Sequence, residues 1–240
     1  MRGRSFAVAA IGCGLLLLSA GPPPATDDRI AFFHADPKKH DIRLHWKDPQ
    51  GRVLGDLGRL ITQEETAGRK LLCAMNGGMF DAHQAPVGLY VENGKELHAI
   101  NTVTKGYGNF HLMPNGVFGI AGNDSAYVCT TPDQAKVRNV RYATQSGPML
   151  LVNGNINSAF REGSANLNIR NGVGVRKDGT VLFAVSKEPV NFFDFARFFR
   201  DQGCLNALYL DGAISRTYLP GQGLDQRDGR LGVLIGISER

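Results

Sequence analysis

"VGVRKDGTVLFAV", residues 173–185, is a pair of β-like runs folded about a turn. Val173 to Val175 is apolar or glycine, Lys177-Asp178-Gly179-Thr180 carries turn chemistry, and Val181 to Val185 resumes with β-branched and aromatic residues. The segment reads as a hairpin. Asn93-Gly94 and Asn153-Gly154 repeat the signal elsewhere, so three tight hairpins are expected. Further strands are predicted over 30–33, 42–46, 71–75, 117–120, 126–130, 207–210 and 231–237. One helix stands out at 192–202, where Phe192, Phe195, Ala196 and Phe199 recur at helical spacing behind Asn191 as N-cap, and Gly203 stops it. Weaker helical signals lie at 60–67 and 132–137. Many strands and few helices predict an α+β fold: a mixed, largely antiparallel twisted sheet flanked by a few helices in a single domain. The phenylalanines read as core.

With 240 residues and 42% apolar composition, the chain can build one large core. Residues 1–25 read as a signal peptide. Arg2 and Arg4 form a positive start, 6–20 is an apolar stretch, and Gly21-Pro22-Pro23-Pro24 cannot continue a helix. An uncleaved N-terminal anchor is the alternative. The domain is then 26–240, its mature start lies between Gly21 and Asp27, and its location is periplasmic or secreted. Losing Arg2 and Arg4 takes the formal charge from +5 to +3. No Lys/Arg cluster is interleaved with aromatics, which argues against nucleic acid as a partner. Mild positive charge suits a phosphate-bearing substrate. Cys13 lies in the export segment, leaving Cys73, Cys129 and Cys204. Three is odd, so at least one thiol is unpaired within the chain, and no Cys or His spacing specifies a metal or cofactor.

Four short stretches at strand ends carry possible chemistry: Asn76-Gly77-Gly78-Met79-Phe80, Ser146-Gly147-Pro148, Arg170-Asn171-Gly172-Val173-Gly174, and Leu210-Asp211-Gly212-Ala213-Ile214-Ser215. Singly, each is an ordinary turn. The loop 161–168, "REGSANLN", has little apolar content and reads as able to line or cover a cleft.

In this order, with "NFFDFARFFRDQGC" at 191–204 ahead of the last, the stretches make the chain similar to the phosphodiester glycosidase domain family, over about residues 30–237. The resemblance is closest to an exported bacterial branch. The animal branch is richer in glycine where this chain has Asp211-Gly212-Ala213-Ile214-Ser215. The resemblance implies a sheet whose strand ends gather the motifs around one cleft. It also implies hydrolysis of the glycosidic bond of a sugar-1-phosphodiester in an envelope glycan or glycolipid. Residue chemistry fits this. Arg170 offers a planar fork for phosphate oxygens. Gly77 and Gly78 expose N–H groups, aided by Asn76 and Ser146. Gly147, Asn171, Gly212 and Ser215 complete the expected substrate-binding set. Asp211 is the expected catalytic carboxylate and Glu188 the expected second one, with Asp81 and Glu92 as rivals. An envelope substrate leaves peripheral membrane contact open. The competing class is a non-catalytic carbohydrate- or polymer-binding module on the same scaffold.

Overall fold

The computed structural model describes residues 27–211 and 214–240; the signal-like segment 1–25 and Gly212 lie outside the described residues. The chain runs through β1 (Ile30–Ala35), β2 (His40–His45), helix α1 (Leu57–Thr66), β3 (Leu71–Asn76), β4 (Tyr90–Glu92) and β5 (Lys95–His98). It continues with β6 (Gly116–Ala121), β7 (Ala126–Thr130), β8 (Val140–Ser146), β9 (Met149–Val152) and β10 (Asn155–Ile156). Then come β11 (Asn171–Arg176), β12 (Val181–Ser186), helix α2 (Phe192–Asp201), β13 (Cys204–Tyr209), β14 (Thr217–Leu219), β15 (Leu224–Asp225) and β16 (Leu234–Glu239).

The strands form three sheets: a six-stranded one ordered β1-β12-β11-β13-β9-β10, a second ordered β15-β14-β3-β16-β2, and a third ordered β5-β4-β8-β6-β7. All strand pairs among the described residues are antiparallel. The expected largely antiparallel, single-domain architecture with few helices is what the chain shows, but the one mixed sheet is corrected to three antiparallel sheets, with two α-helices among the described residues. The reason is the shared core: Ile42, Met75, Tyr90, Phe118, Phe183 and Ile235, drawn from all three sheets, pack in one cluster. Each sheet turns one face onto that cluster.

The helices cover outer faces. Helix α2 sets Phe195 and Phe199 on Leu150, Ala207 and Tyr209 of the first sheet, and α1 sets Leu57, Leu60 and Ile61 on Leu71, Ala74 and Leu234 of the second. This explains the unbroken apolar run of β12. Val181, Phe183 and Val185 face the shared core while Leu182 and Ala184 face α2, so both sides are buried.

Local signals act as read. Asn191 caps α2 by accepting from the Asp194 N–H at 2.8 Å, and Gly203 takes φ +82° just past its end. Asn93-Gly94 and Asn153-Gly154 both have positive φ at both positions, as a two-residue hairpin of matching twist needs. The 178–179 turn is longer. Arg176 N–H donates to Thr180 O at 2.9 Å, and only Gly179 has positive φ, which makes a three-residue loop. The segment 132–137 is a 3-10 turn over Pro132–Lys136 rather than an α-helix. Cys73, Cys129 and Cys204 are all free thiols, and burial pushes each pKa up to about 12.

Candidate active site

Three of the candidate stretches sit at strand ends of the first two sheets and converge on one rim, and the fourth, at 146–148, leaves β8 of the third sheet for β9 of the first. β3 ends at Asn76, β13 runs out through Leu210 to Asp211, β11 starts at Asn171, and β14 starts at Thr217. Asn76 ties them together. Its side-chain amide donates to Asp211 O at 3.1 Å and to Ile214 O at 2.7 Å, and its Oδ1 accepts from Arg216 N–H at 2.8 Å. Asn171 Nδ2 donates to Asn76 O at 2.9 Å, the Leu210 N–H donates to Asn171 O at 3.1 Å, and the Asp211 N–H donates to Gly77 O at 2.9 Å. Ser215 Oγ closes the ring weakly, 3.5 Å from Asn171 Oδ1. Asn76, Gly77, Asn171, Asp211 and Ser215 are thus one bonded unit that fixes the main chain at Asp211 and at Ile214–Arg216.

This geometry changes several roles. Both amide hydrogens of buried Asn76 are used on the main chain, so Asn76 shapes the loop instead of offering its amide to a ligand. The Gly77 N–H is likewise committed, donating to Val233 O at 2.7 Å. A Cβ on Gly77 would lie 3.0 Å from Val233 Cγ1, and one on Gly78 would run into Thr144 Oγ1 and lie 2.5 Å from Gln145 O. The paired glycines let the chain leaving β3 pass between the second and third sheets. Ser146 ends β8, fully buried, and Gly147 lies where a Cβ would be 2.8 Å from Asn115 Cβ. That turn reaches the rim through the Tyr209 N–H, which donates to Pro148 O at 3.0 Å.

Arg170 is 1% exposed. Its Nε donates to Val190 O at 2.8 Å, its Nη2 to Asn166 O at 2.9 Å, and its guanidinium stacks 3.6 Å over the Phe192 ring. Among the described residues no carboxylate lies within ion-pair distance of it. Burial lowers its pKa, with the neighbouring Tyr209 opposing. The fork expected to meet phosphate is therefore partly occupied by carbonyls, one of them from the 161–168 loop, which Arg170 holds down.

Sequence reasoning missed Tyr209. Alternation along β13 places it on the side of Asp211, away from Leu208 and Leu210 in the shared core. Its ring stands edge-on to Phe192, and the Arg170 guanidinium lies 5.5 Å from the ring centre. Burial pushes the phenol pKa up, Arg170 pulls it down, and the Asp211 charge raises it again, so the hydroxyl stays protonated.

Glu188 is exposed beyond β12, and its charge acts on Arg29. The structure does not bring it into the bonded unit around Asp211. Of its rivals, exposed Asp81 caps its own turn by accepting from the His83 and Ala85 N–H groups, and Glu92 accepts from Tyr90 Oη at 2.5 Å, with burial raising its pKa. Beside Ile214–Arg216 opens a cleft of about 670 Å³, lined by Asn168, Ser186, Lys187, Ser215, Arg216 and Gln226 among others. No group of three or more His, Cys, Asp or Glu side chains among the described residues is placed to hold a metal.

A family model described as phosphodiester glycosidase matches residues 69–232. The uncharacterized protein YigE of Escherichia coli strain K12 is 37% identical over 219 residues, which span 90% of this chain and 81% of that protein. Among solved structures, the catalytic domain of zebrafish N-acetylglucosamine-1-phosphodiester alpha-N-acetylglucosaminidase, auto-inhibited by its pro-peptide, aligns with a TM-score of 0.59 at 20% identity, covering 88% of this chain and 83% of that one. A hypothetical protein from Synechocystis aligns with a TM-score of 0.56 at 16% identity, covering 88% and 59%. At these identities the likeness to the solved structures is one of fold.

Proposed function

The chain belongs to the phosphodiester glycosidase family, and from that premise we propose that it is an exported hydrolase. Its substrate is a sugar-1-phosphodiester in an envelope glycan or glycolipid, and the bond it breaks is the glycosidic one. Water adds to the anomeric carbon, the C1–O bond breaks, and the phosphate leaves on its other substituent as a phosphomonoester.

The observation that carries the reading is the fixing of Asp211 on the rim from two separate segments: Asn76 and Gly77 at the end of β3 bond its main chain, and Asn171 at the start of β11 holds the preceding Leu210 and Asn76. Bonds to both its N–H and its carbonyl fix the point from which the carboxylate leaves the backbone. That suits an ionised group that stabilises the positive charge developing on the ring or activates water. A phosphate leaving group needs little protonation, so a second carboxylate of the Glu188 kind is less necessary than in ordinary glycoside hydrolysis. The protonated Tyr209 hydroxyl and the Arg170 guanidinium place a hydrogen-bond donor and a positive charge beside the same strand end. Export is supported by Arg2, Arg4 and the apolar stretch behind them. No helix among the described residues is long and apolar enough to cross a membrane.

The test is a panel of sugar-1-phosphodiesters incubated with the mature chain, reading free sugar and phosphomonoester. Release of both in equal amounts is expected. Retention of ligand with no product from any member, and unchanged affinity after Asp211→Asn, would assign the scaffold to binding instead.

A further inference from the structure

The cleft beside Ile214–Arg216 is rich in hydrogen-bond donors. Ser186 and Gln226 have acceptors already used inside the protein and hydrogens left over, whereas Asn168 spends an amide hydrogen on Asn166 Oδ1 at 2.7 Å. Ser186 Oγ accepts the Arg170 N–H at 2.9 Å, which leaves the hydroxyl hydrogen to donate. Gln226 Oε1 accepts the Thr217 N–H at 3.0 Å, which leaves its amide hydrogens. Ser215 Oγ has only long contacts, 3.4 Å to Ile169 O and 3.5 Å to Asn171 Oδ1, so its hydrogen is weakly held.

The charges point the same way. Lys187 lines the cleft, is exposed, and has no carboxylate within ion-pair distance among the described residues; its backbone is fixed at the end of β12 by donation to Arg29 O at 2.7 Å. Arg216, also in the lining, pairs with Asp228, whose side chain is 74% exposed, so the pair is largely hydrated and weak. Arg170 sits behind the wall with no carboxylate partner among the described residues, its backbone N–H on Ser186. None of the described residues that line the cleft is acidic. Spare donors, a free ammonium and a neighbouring buried guanidinium together favour an anion with several acceptor oxygens. A volume of about 670 Å³ holds a group the size of a sugar phosphate.

We propose that this cleft is an anion subsite that receives the phosphoryl group of the substrate, with Lys187 as its charge contact and Ser186, Ser215 and Gln226 as hydrogen-bond donors. Its assignment to the substrate's own phosphate rests on the glycosidase reading; its preference for a phosphoryl anion does not. The buried Arg170 then supports the subsite from behind rather than gripping the phosphate itself.

Titration calorimetry and amide chemical-shift mapping on the mature chain, with inorganic phosphate, glucose 1-phosphate and glucose as probes, test this. Both phosphate-bearing probes should bind and shift the amides of Ser186, Lys187, Ser215 and Gln226, and glucose should not. Lys187→Ala should weaken both about tenfold, the scale of one charge-assisted hydrogen bond, with Lys187→Arg restoring most of the affinity and neither change moving the melting temperature. Equal affinity in Lys187→Ala, shifts confined to other regions, or glucose binding as well as glucose 1-phosphate would overturn the subsite. Turnover of the phosphodiester panel is read separately. Anion binding without turnover counts against the glycosidase reading and leaves the subsite standing; turnover with no binding at these residues does the reverse.

Discussion

Glu64, on the face of α1 that meets the second sheet, and Arg170, just ahead of β11, are both charged side chains only 1% exposed. Glu64 is closed in by charge. Arg69 donates to its two oxygens at 2.7 Å each, and His45 Nε2 lies 3.9 Å away. Burial works to raise the Glu64 pKa, but Arg69 and His45 outweigh it and the net shift is downward. His45 is held neutral, with burial lowering its pKa to about 4. Arg170 has carbonyls and an aromatic ring for company and, among the described residues, no carboxylate within ion-pair distance. The first arrangement cancels charge under a helix and serves the fold. The second keeps a net positive charge at the rim where the candidate residues converge. Burial alone does not separate a structural charge from a functional one; the identity of its partners does.

The largest expected effect bears on Arg170. Arg170→Lys keeps the charge but cannot reach Val190 O and Asn166 O at once while stacking on Phe192, so it should cost about 3 kcal/mol of stability. Urea unfolding measures this, and limited proteolysis should find the 161–168 loop cut more readily. Unchanged stability with lost turnover would make Arg170 a substrate contact and break the comparison.

Asp211→Asn should lower turnover on the order of 10²-fold, equivalent to about 2.7 kcal/mol in the barrier, while leaving the melting curve in place. Turnover within a few-fold of the parent would reduce Asp211 to a turn residue.

His45 sharpens the other side. Its folded pKa, about 4, lies below the unfolded value near 6.5, so the unfolded state binds the extra proton and stability falls as pH drops between those values. Between pH 7 and pH 5 this amounts to about 2 kcal/mol. Denaturation midpoints at the two pH values should show it, and His45→Gln should flatten the dependence. Equal dependence in the variant would place the proton uptake elsewhere.

Glu64→Gln keeps the shape but removes the ion pair with Arg69, which is part-exposed and can recover some hydration. A loss of about 1–2 kcal/mol is expected, with turnover unaffected. A fall in turnover would tie the α1 region to the site and erase the distinction between the two buried charges.

The elements legible in the sequence share a cause. Asn93-Gly94 and Asn153-Gly154 were readable because two positive φ angles in a row strongly favour those residues. Helix α2 was readable because its cap, its apolar spacing and its closing Gly203 all lie within about a dozen residues. The second half of β8, Ala143 to Ser146, carries Thr144, Gln145 and Ser146, all buried, so it lacks the alternation that marks a half-exposed strand. The division into three sheets was not legible either, since it depends on which strands pair across long separations, as β3 does with β14 and β16.

The site follows the same division. By itself the sequence determined which residues could carry the chemistry and in what order they occur, because turn type, residue class and charge are local properties. Only the tertiary structure decided what each is bonded to. Asn76 meets Asp211 across 135 positions, and that contact turns a plausible ligand amide into a support for the loop. Gly78 has no room for a Cβ because β8 of the third sheet passes beside it, and Gly77 is pressed tightly by Val233 and Ile235 where β16 begins. Arg170 is neither a surface charge nor half of a salt bridge because the chain folds carbonyls and an aromatic ring around it. A side chain's hydrogen-bonding capacity is set by its covalent structure, but how much remains for a ligand depends on neighbours that packing alone supplies.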